Sequence, residues 1–137
     1  MSEDNAFLDS NLLLYLYSEQ EPEKRQTVVS ALNKYSIYIS TQVLNEFSNV
    51  CIRKLNFNNA SVKEALEEIC NTCEILTINE SHVQSALDLR EKYGYSYYDS
   101  LIITSALDGN CDYLLSEDMS DGQIIEGKLT IKNIFNK

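Results

Sequence analysis

Short apolar runs separated by helix-length amphipathic segments constrain this chain more than any other feature. Ala6-Phe7-Leu8, Ile37-Tyr38-Ile39, Ile75-Leu76-Thr77-Ile78 and Tyr113-Leu114-Leu115 are each too brief for a helix and read as strands. Between the first two lie the very apolar Leu12–Tyr17 and, after Pro22, a helix from Glu23 to Tyr35 with a stripe at Val28, Ala31, Leu32 and Tyr35. Ser40-Thr41 supply caps for a third helix running to Lys54. Asn58–Cys73 follows, opened by a Ser61-x-x-Glu64 capping box and carried by Val62, Leu66, Ile69, Cys70 and Cys73. Asn79 caps a helix through Tyr93 whose inner face is Val83, Ala86, Leu87 and the stem of Arg90, and Leu129-Thr130-Ile131 makes a last strand. Such alternation favours a parallel sheet, because parallel neighbours need long crossovers, and right-handed crossovers bring every strand's carboxyl end to one edge. The expected fold is α/β, a three-layer α/β/α arrangement around a central parallel sheet. With 137 residues, 44% of them apolar, one core and a single domain over 1–137 are expected.

Tyr97–Leu107 is apolar around most of its circumference and so is buried on several sides, yet Asp99 stands in its first turn. Free N–H groups favour an anion there, and Ser96-x-x-Asp99 also fits a capping box, so the residue alone leaves cap and chemistry both open. Asp9 ends the first strand, at the edge where open α/β sheets bind ligands. It also suits an N-cap, a task that Ser10 or Asn11 would serve equally. Glu46 interrupts the apolar stripe of Val43, Phe47, Val50 and Cys51, where a border side chain reaching solvent is the ordinary explanation. Arg53, two turns on along the same side, has Glu46 or a phosphate as alternative partners. Asp118 and Asp121 fall in the polar turn after the strand at 113–115. All four of Asp9, Glu46, Asp99 and Asp118 therefore map to one sheet edge. Four unrelated caps have no reason to coincide there.

A net charge of −10 argues against binding nucleic acid through a broad basic surface. It leaves room for an acidic pocket in which divalent cations sit between carboxylates and a phosphodiester. Cys70-Asn-Thr-Cys73 is a lone C-x-x-C with no second pair, and the four cysteines read as reduced core residues. His82 has no partner visible in the sequence, and Tyr93, Tyr95, Tyr97 and Tyr98 read as packing in a core or an interface. The opening Met-Ser-Glu-Asp-Asn lacks the character of a leader, and no apolar stretch reaches spanning length, so a cytoplasmic location without membrane contact is expected.

Phe7-Leu8-Asp9-Ser10-Asn11, Val43-Leu44-Asn45-Glu46, Asp99-Ser100-Leu101-Ile102 and Leu114-Leu115-Ser116-Glu117-Asp118, in this order and separation, resemble a PIN domain. The likeness covers essentially the whole chain and is greatest to the VapC-type toxins of bacterial and archaeal toxin–antitoxin pairs. It implies that Asp9, Glu46, Asp99 and Asp118 are the catalytic acids, with Asp9, Asp99 and Asp118 as metal ligands. Ser116 would supply a hydroxyl where threonine is commoner, with Asn11, Arg53 and Asp121 as accessory candidates. It further implies RNA cleavage with Mg2+ or Mn2+, a homodimer and neutralisation by an antitoxin. A phospho-acceptor receiver domain fits less well, since the first strand ends in one acid and Ser116–Asp121 contains no lysine. A non-catalytic, acid-rich binding module of the same fold remains the alternative.

Overall fold

Ala6, Phe7 and Leu8 are wholly buried, and the strand they form, β1 (Asn5–Leu8), is the centre of the molecule. The computed structural model describes residues 4–136; Met1–Glu3, which carry part of the leader expectation, and Lys137 lie outside them. From β1 the chain passes through α1 (Ser10–Tyr17) and α2 (Pro22–Lys34) to β2 (Ser36–Ser40), then through α3 (Thr41–Arg53) and α4 (Asn59–Thr72) to β3 (Glu74–Leu76). It returns by α5 (Glu80–Tyr93) and α6 (Tyr97–Asp108) to β4 (Tyr113–Leu115), and ends with β5 (Ile124–Ile125) and β6 (Leu129–Lys132).

The six strands lie in the order β3-β2-β1-β4-β6-β5, all parallel except the β5–β6 pair. Phe7 stands opposite Tyr38 on one side and Leu114 on the other. The direction of winding reverses between β1 and β4, the place in an open parallel sheet where loops diverge and leave a crevice. Helices cover both faces, α1 to α4 packing among themselves and α5 against α6. This is the expected three-layer α/β/α fold. Seven consecutive residues of α6, Ser100 to Ala106, are buried, as its apolar circumference requires. Among the described residues, no helix is long and apolar enough to cross a membrane.

Three local expectations are corrected. Asn58, rather than Ser61, caps α4, its side chain accepting from the Ser61 N–H at 2.8 Å, so Ser61 lies inside the helix. Helix α5 turns His82, Ala86 and Leu89 inward and leaves Val83 and Leu87 exposed. His82 accepts the Asn79 N–H at Nδ1 (3.0 Å), which leaves Nε2 to donate to Asp108 at 2.9 Å. Strand β5 was not expected; Glu126 and Gly127, both at positive φ, form a two-residue turn closed by Lys128 N–H on the Ile125 carbonyl at 3.0 Å. Replacing Asn58 by Ala should lower unfolding free energy by about 1 kcal/mol in urea titrations, whereas Ser61→Ala should change it by less than about 0.5 kcal/mol. The reverse order would return the cap to Ser61.

Candidate active site

Strand β1 ends at Leu8 and α1 begins at Ser10, so Asp9 is the single residue that turns the chain at the switch point. It is only 6% exposed. Its Oδ1 accepts the Ser10 N–H at 2.7 Å as the helix cap, and its Oδ2 accepts the Ser116 hydroxyl at 3.0 Å across from the end of β4. Ser116 Oγ in turn accepts the Asp118 N–H at 3.3 Å, and Asn11 Nδ2 donates to Asp118 Oδ2 at 2.9 Å. Two strand ends far apart in sequence are thereby stitched together by oxygen and amide groups. Glu117, between these residues, turns away to Tyr15 and Lys24.

The other two acids come from helices, Glu46 from the second turn of α3 and Asp99 from the first of α6. Glu46 reaches the site from α3, where Oε1 is buried without a hydrogen-bond partner. Asp99 is in the first turn of α6, and its N–H donates to Ser96 Oγ at 3.2 Å. Burial pushes the Asp9 carboxyl up to about 6, opposed by its bonds from Ser10 and Ser116 and reinforced by the charges of Asp99 and Glu46. Burial first, then the charge of Asp99, raises Glu46 against hydrogen bonds from Gln42 and Ser10. Asp99 is raised by burial and by the charge of Asp118. Asp9, Glu46, Asp99 and Asp118 thus share one electrostatic field. Gln42, one turn before Glu46, was not singled out in the sequence, although an amide four residues from an acid on one helix face was a readable signal.

Other candidates lie elsewhere. Asp121 accepts the Asn133 N–H at 2.9 Å and Asn136 Nδ2 at 3.1 Å, bonds that hold its carboxyl low and assign it to anchoring the tail. Arg53 is exposed at the end of α3 and forms no ion pair with Glu46. Of the four cysteines expected in the core, Cys70 is instead exposed on α4; burial pushes the Cys73 thiol to about 11 and the Cys111 thiol to about 12, far from ligating thiolates. Tyr93 and Tyr95 are occupied by Glu126 and Gln123.

An oxygen-only donor set and an orphaned carboxylate oxygen fit a hard divalent cation. Among the described residues, no three acid, histidine or cysteine side chains are drawn together tightly enough to enclose an ion. A cation here would therefore keep part of its water shell, as Mg2+ commonly does. Without metal, the folded state binds a proton on Asp9 more tightly than the unfolded chain, whose carboxyl has the ordinary value near 3.8. Stability contributed by this group should therefore rise as pH falls through about 6 and be complete below about 4. Asp9→Asn should accordingly stabilise the metal-free protein at pH 7.5 by roughly 1–3 kcal/mol in thermal unfolding with chelator. A less stable variant would mean that the lost ionic cap outweighs relief of the buried charge.

The PIN domain family model matches residues 6–120. A search of curated protein sequences found no match. Among solved structures, a toxin–antitoxin complex from Klebsiella pneumoniae is similar at TM-score 0.71 and 19% identity, covering 94% of this chain and 97% of that one. VapC20 of Mycobacterium tuberculosis, a sarcin-ricin loop cleaving toxin, gives 0.67 and 13%, covering 82% and 89%. FitAcB from Neisseria gonorrhoeae gives 0.64 and 16%, covering 96% and 99%. At these identities the structural likeness carries the fold, while the family match runs from β1 through the loop that bears Asp118: the chain belongs to the PIN domain family.

Proposed function

We propose that this protein is a metal-dependent endoribonuclease and the toxin of a type II toxin–antitoxin pair, acting in the cytoplasm. The observation that carries the reading is that Asp9, Glu46, Asp99 and Asp118 come close enough at the switch point to act on one another's charge, with the proton affinity of Asp9, Glu46 and Asp99 raised. Asp9, Asp99 and Asp118 would hold Mg2+ or Mn2+, directly or through water, and Glu46 would orient a water toward the phosphodiester. The ion supplies charge neutralisation at the phosphate and lowers the pKa of water. Ser116 fixes the Asp9 carboxylate, and Asn11 fixes that of Asp118. Arg53 is left free to meet a phosphate farther along α3.

An antitoxin would find an apolar groove between α1, α2 and α4, lined by Leu13, Leu16, Tyr17, Val29 and Ile69, with Arg25 and Glu68 as charged groups. Leu12 and Leu13 are core, so within this groove the accessible contacts from α1 are Leu16 and Tyr17. Val83 and Leu87, 39% and 53% exposed one turn apart on α5, give a second copy an apolar contact. The assembly is thus proposed as a homodimer bearing antitoxin.

Titrating Mg2+ or Mn2+ while following cleavage of single-stranded RNA tests the activity. Asp99→Asn should lower kcat by at least about 100-fold, and metal affinity should weaken as pH falls through about 6, where Asp9 takes up its proton. Undiminished metal-dependent cleavage by Asp99→Asn would remove the site assignment. Metal binding without cleavage would favour the acid-rich, non-catalytic module.

A further inference from the structure

The acidic rim continues into a cleft of about 460 Å³ between α3 and the start of α6. Glu46 belongs to both. Asn45 and Glu46 stand three and four residues after Gln42, and Asn49 four and three after them, so α3 presents a stripe of amides with the acid in its middle. The facing wall is apolar, from Ile78, Leu101 and the ring of Tyr98. Tyr98 is 63% exposed, an unusual position for a large ring that begins a core helix. The ring packs edge-on against Tyr97, centroids 5.3 Å apart at 67°. Its backbone is pinned by Gln42, whose Nε2 donates to the Tyr98 carbonyl at 3.1 Å. Gln42 is 7% exposed, yet its Oε1 has no hydrogen-bond partner. A buried amide with an unpartnered acceptor thus lies beside an exposed and held aromatic face.

Building on the nuclease reading, we propose that this cleft seats one unpaired nucleobase of the RNA beside the phosphate to be cut. Tyr98 is the stacking surface, and Asn45 and Asn49 meet the edge of the base. With a net charge of −10, the chain has little general attraction for phosphates, so stacking and amide contacts must hold the RNA in register. A base within a duplex is already stacked on both faces and cannot enter. The seat therefore selects single-stranded segments or loops.

The test is the affinity of a short fluorescent single-stranded RNA in Ca2+, read by anisotropy, for wild type, Tyr98→Ala, Tyr98→Phe and Asn49→Ala. Tyr98→Ala should weaken binding about tenfold, and Tyr98→Phe should restore it, because the ring face rather than the hydroxyl does the stacking. RNA with a single abasic position, walked along the strand, should at one position bind wild type as weakly as intact RNA binds Tyr98→Ala. At that position Tyr98→Ala should cost nothing further. Equal affinity of wild type and Tyr98→Ala overturns the base seat even if metal-dependent cleavage is intact, and leaves the nuclease reading standing. Loss of affinity in Tyr98→Ala from a wild type that never cleaves RNA keeps the base seat and removes the nuclease. Failure of wild type to bind RNA overturns the seat.

Discussion

The bond from the Ser116 hydroxyl to the Asp9 carboxylate joins the ends of β1 and β4, and the local architecture depends on it. These are the two strands between which the winding order reverses, so nothing in the covalent chain brings their exits together. A buried carboxylate at this point is costly in isolation, and it is tolerated because an N–H, a hydroxyl and the start of α1 all face it. The backbone ladder that pairs Leu8 with Leu115, and the Asp9 N–H on the Leu115 carbonyl at 3.1 Å, set the register of the two strands, and the hydroxyl fixes the carboxylate upon it. Asn11, two residues past Asp9, adds a second link to the same loop.

The rim as a whole is a set of like charges held closer than water would leave them. Burial is the first cause of the raised proton affinity at Asp9, Glu46 and Asp99, and their mutual repulsion adds to it. Such a site is built to be neutralised from outside. Protons, a divalent cation or a basic side chain from a partner would each relieve the same field, and so they compete for it.

Much of this was legible along the chain. Asp9 and Asp118 follow short apolar strands, Asp99 stands just before the buried run Ser100–Ala106 of its helix, and the handedness of crossovers places them at one edge. Contacts between distant residues were not legible. The inner face of α5 is the clearest instance, since Val83 and Leu87 are more apolar than His82. The helix is turned so that His82 bonds the Asn79 N–H through Nδ1 and donates from Nε2 to Asp108 on α6. Asp121 looked like a fifth acid until Asn133 and Asn136, from the tail, occupied it. Strand β5 is only two residues long, below what periodicity resolves, though Glu126-Gly127 has the character of a tight turn. Tyr93, Tyr95, Tyr97 and Tyr98 read as one cluster but divide into two buttresses for the region after β4 and, at the mouth of α6, a half-buried Tyr97 against which the exposed Tyr98 packs.

Both margins of the sheet are stubby: β3 has three residues and β5 two, the latter running against its neighbour. Neither offers enough unpaired backbone for another polypeptide to extend the ladder. Recruitment of other molecules is thereby diverted from strand addition to side-chain surfaces, whose identity residues on the helices can tune without disturbing the scaffold beneath.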